Sequence, residues 1–183
     1  IVEYNKALSN TRLIVPALSA GMVPKSRAEW EAMGRVFQII ANTLKPQGMK
    51  IGFHNHTVEM EVFEGKTGFE WFASTAPDVI LAVDCAWAAH GGQDPAELLR
   101  RLKGHVWNIH VKDNAPAGPA QDQRGLATVG QGVLNWDKIL PAAREAGVQW
   151  YTLEHDVPKP DALTVLRDGS AYTIPRLQKL LAK

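Results

Sequence analysis

The chain has 183 residues, 45% hydrophobic and 21% charged, with twenty basic residues against nineteen acidic ones for a net charge of +1. This composition suits one packed domain over residues 1–183 and excludes an intrinsically disordered chain. The balanced charge argues against a nucleic-acid or membrane-surface partner, and no run of about 18 apolar residues offers a membrane span. The lone cysteine, Cys85, excludes an intramolecular disulfide framework and a cysteine-rich zinc site.

The first residue is Ile1, and the opening residues read as the interior of a helix. The expectation is therefore a chain truncated at its N-terminus, and no compartment is implied. Next comes a short β-rich run, Leu13-Ile14-Val15. Ser26 followed by Glu29 is a capping-box signature. From Ser26 to Leu44, apolar residues recur with helical spacing at Trp30, Met33, Val36, Phe37, Ile40, Ala41 and Leu44, until Pro46 and Gly48 stop the helix.

Lys50 to Phe53 is the second strand candidate, Val79 to Val83 the third, Val106 to Val111 the fourth and Trp150 to Leu153 the fifth. Near-continuous apolar runs of this kind belong to parallel sheets covered by helices. Between them, Asp94-Pro95 opens a helix that ends at Gly104, and Trp136 to Ala146 forms another, closed by Gly147. Ala171 to Lys183 reads as a terminal helix with Pro175 in its first turns. The segments 114–129 and 156–161 read as loops. The alternation of strand and helix, at about 30–40 residues per unit, predicts an α/β fold with a parallel sheet.

The chemistry lies where these strands end. The second runs into His54-Asn55-His56-Thr57-Val58-Glu59, the third into Asp84, the fourth carries His110 and Lys112-Asp113, and the fifth runs into Glu154-His155-Asp156. Taken singly, an Asp at a strand end is more often a cap and a His in an apolar strand more often a hydrogen-bonded core residue. His90 and His105 belong to that class or to the surface. Four successive strand ends carrying carboxylates or imidazoles are harder to explain by capping. Asp, Glu and His together form a ligand set for Mn²⁺, Mg²⁺, Zn²⁺ or Fe²⁺.

Several segments resemble, in order, the motifs of the sugar phosphate isomerase/epimerase family, the xylose isomerase-like TIM barrels. His54-Asn55-His56-Thr57-Val58-Glu59-Met60 resembles its HNHDFEF signature, Asp84-Cys85-Ala86-Trp87 its D-x-x-W, and Gly92-Gln93-Asp94-Pro95 its G-x-D-P. His110-Val111-Lys112-Asp113 matches H-x-K-D, Val129 to Trp136 resembles VGEGxxDW, Glu154-His155-Asp156 resembles E-x-D, and Ser170-Ala171-Tyr172 resembles a late S-x-x-Y element. Gln131 and Asn135 depart from the usual Glu and Asp of the glycine loop.

The resemblance implies a TIM (β/α)8-type barrel, of which about five C-terminal βα units are present, because a closed barrel takes about 250 residues, roughly 31 per unit. An open sheet, or closure by a second copy as a homo-oligomer, follows as an expectation. The resemblance also implies a divalent metal held by Asp84, His110 and Glu154. Glu59 is the favoured fourth ligand, and His54 or His56 is the alternative.

The implied activity is isomerisation or epimerisation of a small-molecule sugar or sugar phosphate, by proton transfer next to a carbonyl through a metal-stabilised enediolate. Glu154, His56, His54 and Lys112 are the candidate proton movers and polar contacts. Trp87, Trp107 and Asn55 are the candidate substrate-binding residues, and Asp113 is a candidate hydrogen-bond partner for a ligand histidine. Elimination from a 3-keto-glycoside or keto-inositol is the alternative chemistry. A DNA-repair endonuclease of the same barrel type would need more histidines and a basic groove, and a non-catalytic binding module would not need the retained ligand set.

Overall fold

A computed structural model describes residues 1–116 and 123–182. Five strands form one parallel sheet in chain order: β1 (Arg12–Val15), β2 (Lys50–His54), β3 (Ile80–Asp84), β4 (Val106–Val111) and β5 (Trp150–Leu153). Among the described residues, seven α-helices accompany them: α1 (Val2–Ala7), α2 (Arg27–Leu44), α3 (Gly68–Ser74), α4 (Cys85–His90), α5 (Pro95–Arg101), α6 (Trp136–Ala146) and α7 (Ala162–Leu181). Each strand is followed by at least one helix, so five βα units are present, as in a partial barrel. Among the described residues, β1 and β5 are each paired on one side only.

The helical layer follows from the apolar stripes. α2 buries Trp30, Gly34, Phe37, Ala41 and Leu44, spaced four and three apart, so one face meets the sheet. Phe37 packs against Phe53 of β2 and Phe72 of α3, with ring centroids 5.5 and 5.0 Å away. Full burial of each such ring contributes on the order of 1.5–3 kcal/mol. Ser26 caps α2 by accepting from the Glu29 N–H, as its spacing predicts.

Register decides which side chains meet. In parallel strands, paired residues point to the same face. Gly52 pairs with Ile80, His54 with Ala82, Asp84 with His110, and His110 with Thr152. Between β3 and β4 the register shifts by one residue: Leu81 faces Val106 and Ala82 faces Asn108, so Trp107 has no partner on β3.

Three expectations change. The terminal helix starts at Ala162, not Ala171, because Asp161 caps it through the Thr164 N–H, and Pro175 lies well inside it. Its helical pattern is interrupted at Gly169, where the backbone approaches Leu153 too closely for a larger side chain to fit freely. α3, α4 and a hairpin of Val62–Phe63 with Lys66–Thr67 stand where no element was expected. The segment 114–129 is partly structured: Asp113–Asn114 pairs with Leu126–Ala127. Residues 117–122 of that expected loop, and Lys183 of the expected terminal helix, lie outside the described residues.

Candidate active site

Three strands deliver the central group. One ligand atom from each of His54, Asp84 and His110 lies within 4.8 Å of the other two. Glu154, just past β5, joins them, with Oε2 2.6 Å from His110 Nδ1. The Lys112 ammonium is 2.8 Å from Asp84 Oδ2, 3.1 Å from Glu154 Oε2 and 2.6 Å from Asp156 Oδ1. Asp84 is 0% exposed and Lys112 1%. His54, His56, His110, Lys112, Glu154 and Asp156 line a cavity of about 330 Å³, and the buried Asp84 is not part of its surface. A larger groove of about 590 Å³ between α6 and α7 contains no such cluster.

His54 Nδ1 lies 3.2 Å from the Ala82 carbonyl. A carbonyl only accepts, so Nδ1 carries the proton and Nε2 keeps its lone pair. Burial, reinforced by His110, His56 and Lys112, pushes the His54 pKa down to about 3, so the ring is neutral near pH 7. A neutral imidazole whose other nitrogen is held by a carbonyl is the form that binds metals.

Asp84 does two jobs with two oxygens. Oδ1 accepts from the Trp87 N–H at 2.9 Å and caps α4. Oδ2 is buried without a hydrogen bond; Lys112 stands 2.8 Å from it as an ion pair, but out of hydrogen-bond alignment. Burial pushes the Asp84 carboxyl up, and Lys112 partly pulls it back. Glu154 is held well below the usual carboxylate range, first by its hydrogen bond to His110 and then by Lys112 against the cost of burial. Burial opposes the charge on Lys112, yet Asp84, Asp156 and Glu154 together keep its pKa above the ordinary lysine value.

Glu59, the expected fourth ligand, is buried on a short 3-10 turn, Val58–Met60, and its Oε2 accepts from the His56 N–H at 2.7 Å. Its carboxylate thus folds back onto its own loop, and His54 is the residue from this segment that joins Asp84 and His110. His56 stands with its ring 4.9 Å from His54 and 5.8 Å from Trp87. Asn55 is fully buried: its side chain accepts from the Asp84 N–H and donates to the Asp84 carbonyl, clamping the end of β2 to the end of β3. That use leaves it a positioning residue and not a substrate contact.

The Lys112 ammonium lies 5.7 Å from the centre of the Trp87 ring. Trp107 is not brought to this group. It begins β4 at the opposite end from His110, stacked on Trp150 at 6.1 Å and covered by the Arg12 guanidinium at 4.7 Å.

Asp113 also differs from expectation. Its carboxylate takes no histidine; it accepts from the N–H groups of Asn114, Gly130 and Leu134 and from Trp136 Nε1. It therefore anchors the glycine loop, and a Cβ at Gly132 would collide with it. Sequence reasoning did not single out Asp156 or Arg124 as site residues. Asp156 stands in the E-x-D segment, which was the available signal; Arg124 comes from the hairpin before Leu126, where nothing in the sequence marks it.

Two imidazoles and two carboxylates, one of them with a buried oxygen that only the Lys112 ammonium closely faces, form a donor set that fits a divalent ion. The xylose isomerase-like TIM barrel family model matches residues 1–175. The chain belongs to that family.

This xylose isomerase-like chain is similar to a sugar phosphate isomerase/epimerase from Parabacteroides distasonis, at 21% identity and TM-score 0.77, over 93% of this chain and 59% of that one. It is similar to the IOLI protein with a zinc atom, at 19% identity and TM-score 0.76, over 97% and 66%. It is also similar to a probable 3-DHS dehydratase, AsbF, from Bacillus anthracis, at 14% identity and TM-score 0.70, over 94% and 66%. These likenesses establish the fold. The chain spans about three fifths to two thirds of the length of these three structures. No curated protein sequence matches it.

Proposed function

We propose that this chain carries the site of a divalent-metal-dependent sugar isomerase or epimerase, with His54, Asp84, His110 and Glu154 as the ligand set. The observation that carries this reading is the convergence of His54, Asp84 and His110 within 4.8 Å, around an Asp84 oxygen that is buried without a hydrogen bond. The zinc-containing IOLI neighbour supports the metal, and the isomerase/epimerase neighbours support the reaction class.

A bound dication supplies charge that stabilises an enediolate beside the carbonyl. The chain's own residues do the rest. Ala82 fixes the His54 ring through Nδ1. Asn55 fixes the backbone of Asp84. Lys112, held protonated among three carboxylates, donates to a substrate oxygen. His56, at the cavity wall beside Trp87, is the side chain placed to take a proton from carbon and return it.

A second reading is elimination. The dehydratase neighbour supports it, as does the Lys112 ammonium, a charged hydrogen-bond donor for a leaving oxygen. One experiment tests both. The protein is loaded with Mn²⁺, Mg²⁺, Zn²⁺ or Fe²⁺ and incubated with aldoses, ketoses and keto-glycosides in D₂O. Isomerisation gives a sugar deuterated next to the carbonyl; elimination gives an unsaturated ketone. Asp84→Asn is expected to weaken metal binding by about 100-fold. Unchanged metal binding in that variant overturns the site, and a metal-loaded protein that exchanges no C–H overturns the chemistry.

A further inference from the structure

We propose that Arg124 recognises an anionic oxygen group, a carboxylate or a phosphate, on the substrate of this cavity. The inference rests on the metal-dependent reading above and adds the class of sugar to it.

Arg124, on the segment that follows β4, stands beside Asp156, which lines the cavity. Its guanidinium is 3.6 Å from Asp156 Oδ2, and Asp156 in turn holds Lys112 at 2.6 Å. Arg124 and Lys112 flank the same indole, 6.0 and 5.7 Å from the centre of the Trp87 ring. That indole is itself a buried donor, with Nε1 lacking an acceptor. Two cations thus flank one indole beside Glu154 and Asp156, which line the cavity.

The contact to Asp156 does not account for the arginine. At 3.6 Å it is longer than a hydrogen bond, and Asp156 already has Lys112 as its close partner. The Arg124 side chain is 64% exposed while that of Asp156 is 15% exposed, so the guanidinium fork stays accessible from the solvent side. Charge points the same way. Once a dication is bound, it and Lys112 balance Asp84, Glu154 and Asp156, and the Arg124 charge is left over. A guanidinium matches planar or tetrahedral oxyanions through paired N–H donors, which is how a leftover arginine at a cavity mouth is used.

The backbone adds an independent point. Arg124 has φ +58, in the left-handed region that favours Gly, Asn or Asp. Gly125 follows at φ +74, and its Cα sits against His90 of α4. A bulky residue in that conformation carries a backbone cost that its surroundings must offset.

The test is calorimetric titration of the full chain in Mg²⁺ with three probes: D-ribose, D-ribose 5-phosphate and D-gluconate. The wild type is expected to bind at least one anionic probe about tenfold more tightly than ribose, in line with one lost charged hydrogen bond. The two anionic probes separate phosphate from carboxylate recognition. Arg124→Met is expected to abolish the preference while leaving ribose binding unchanged. Arg124→Lys is expected to restore part of it, and Arg167→Met, a surface control, to leave it intact.

Equal binding of neutral and anionic probes by the wild type overturns the proposal. So does an equal loss for all three probes in Arg124→Met, which would make the arginine structural. If anion preference depends on Arg124 but no sugar is turned over, the catalytic reading fails and the anion site stands.

Discussion

The two ends of the sheet carry the same kinds of charge and treat them in opposite ways. At the N-terminal end, Lys45 and Asp78 form an ion pair at 3.5 Å with side chains 71% and 45% exposed. At the C-terminal end, Lys112 and Asp84 pair at 2.8 Å with side chains 1% and 0% exposed. The outer pair lies in water and salt, where such contacts contribute little. The inner pair has lost its hydration, and the attraction between the partners only offsets that loss. Burial of this kind adds nothing that a fold needs, which is why the proposed site is put at the inner charges.

The contrast can be broken most severely at Lys112. Lys112→Met leaves Asp84 buried without its cation, and metal-free protein is expected to lose about 3–5 kcal/mol of stability in urea unfolding. Added Mn²⁺ should restore much of that loss, because a dication compensates the same carboxylates. No recovery would show that these oxygens do not share an ion.

Next in size is Asp113. It holds four donors from strand, loop and helix, so Asp113→Ala is expected to cost about 3 kcal/mol and to loosen the glycine loop. Urea unfolding and hydrogen exchange at Gly130 and Leu134 would report it.

A pH titration sharpens the comparison further. His54 has a folded pKa of about 3 against an ordinary 6.5, so the unfolded chain binds the extra proton between those values. Stability from this group is complete above pH 6.5 and falls as pH drops toward about 3, by up to about 1.4 kcal/mol per pH unit. His54→Gln should flatten that slope. Glu154, with its depressed pKa, adds to the acid loss only below its ordinary 4.5. At the outer end, Asp78→Asn is expected to leave the melting temperature unchanged within error.

Much of this was legible in the residues. The five strands follow from apolar runs, and α2 from its capping box and stripe. Asp84, His110 and Glu154 stand out because they end successive strands. The choice between Glu59 and His54 was not legible. Both lie in one hydrophilic segment, and only the turn Val58–Met60, which directs the Glu59 carboxylate onto the His56 N–H, separates their surroundings. The capping role of Asp84 and its place in the cluster looked like rival readings, yet each oxygen takes one. Asp113 reads as a partner for histidine because it follows His110 closely, but its four donors come from residues up to 23 positions away.

The shift of register between β3 and β4 has a consequence for what this sequence can tolerate. Strict pairing from Leu81 and Val106 onward would set Asp84 beside Ile109. Alternation would then send His110 into the helical layer and bring Ile109 and Val111 to the cavity. The bulge prevents this by leaving Trp107 unpaired. Closing the bulge with Trp107 paired would exchange the wet and dry faces of β4 from that point on, whereas deleting Trp107 would leave Asp84 beside His110 on a regular ladder. The unpaired turn of the backbone at this position is what keeps the histidine beside the aspartate.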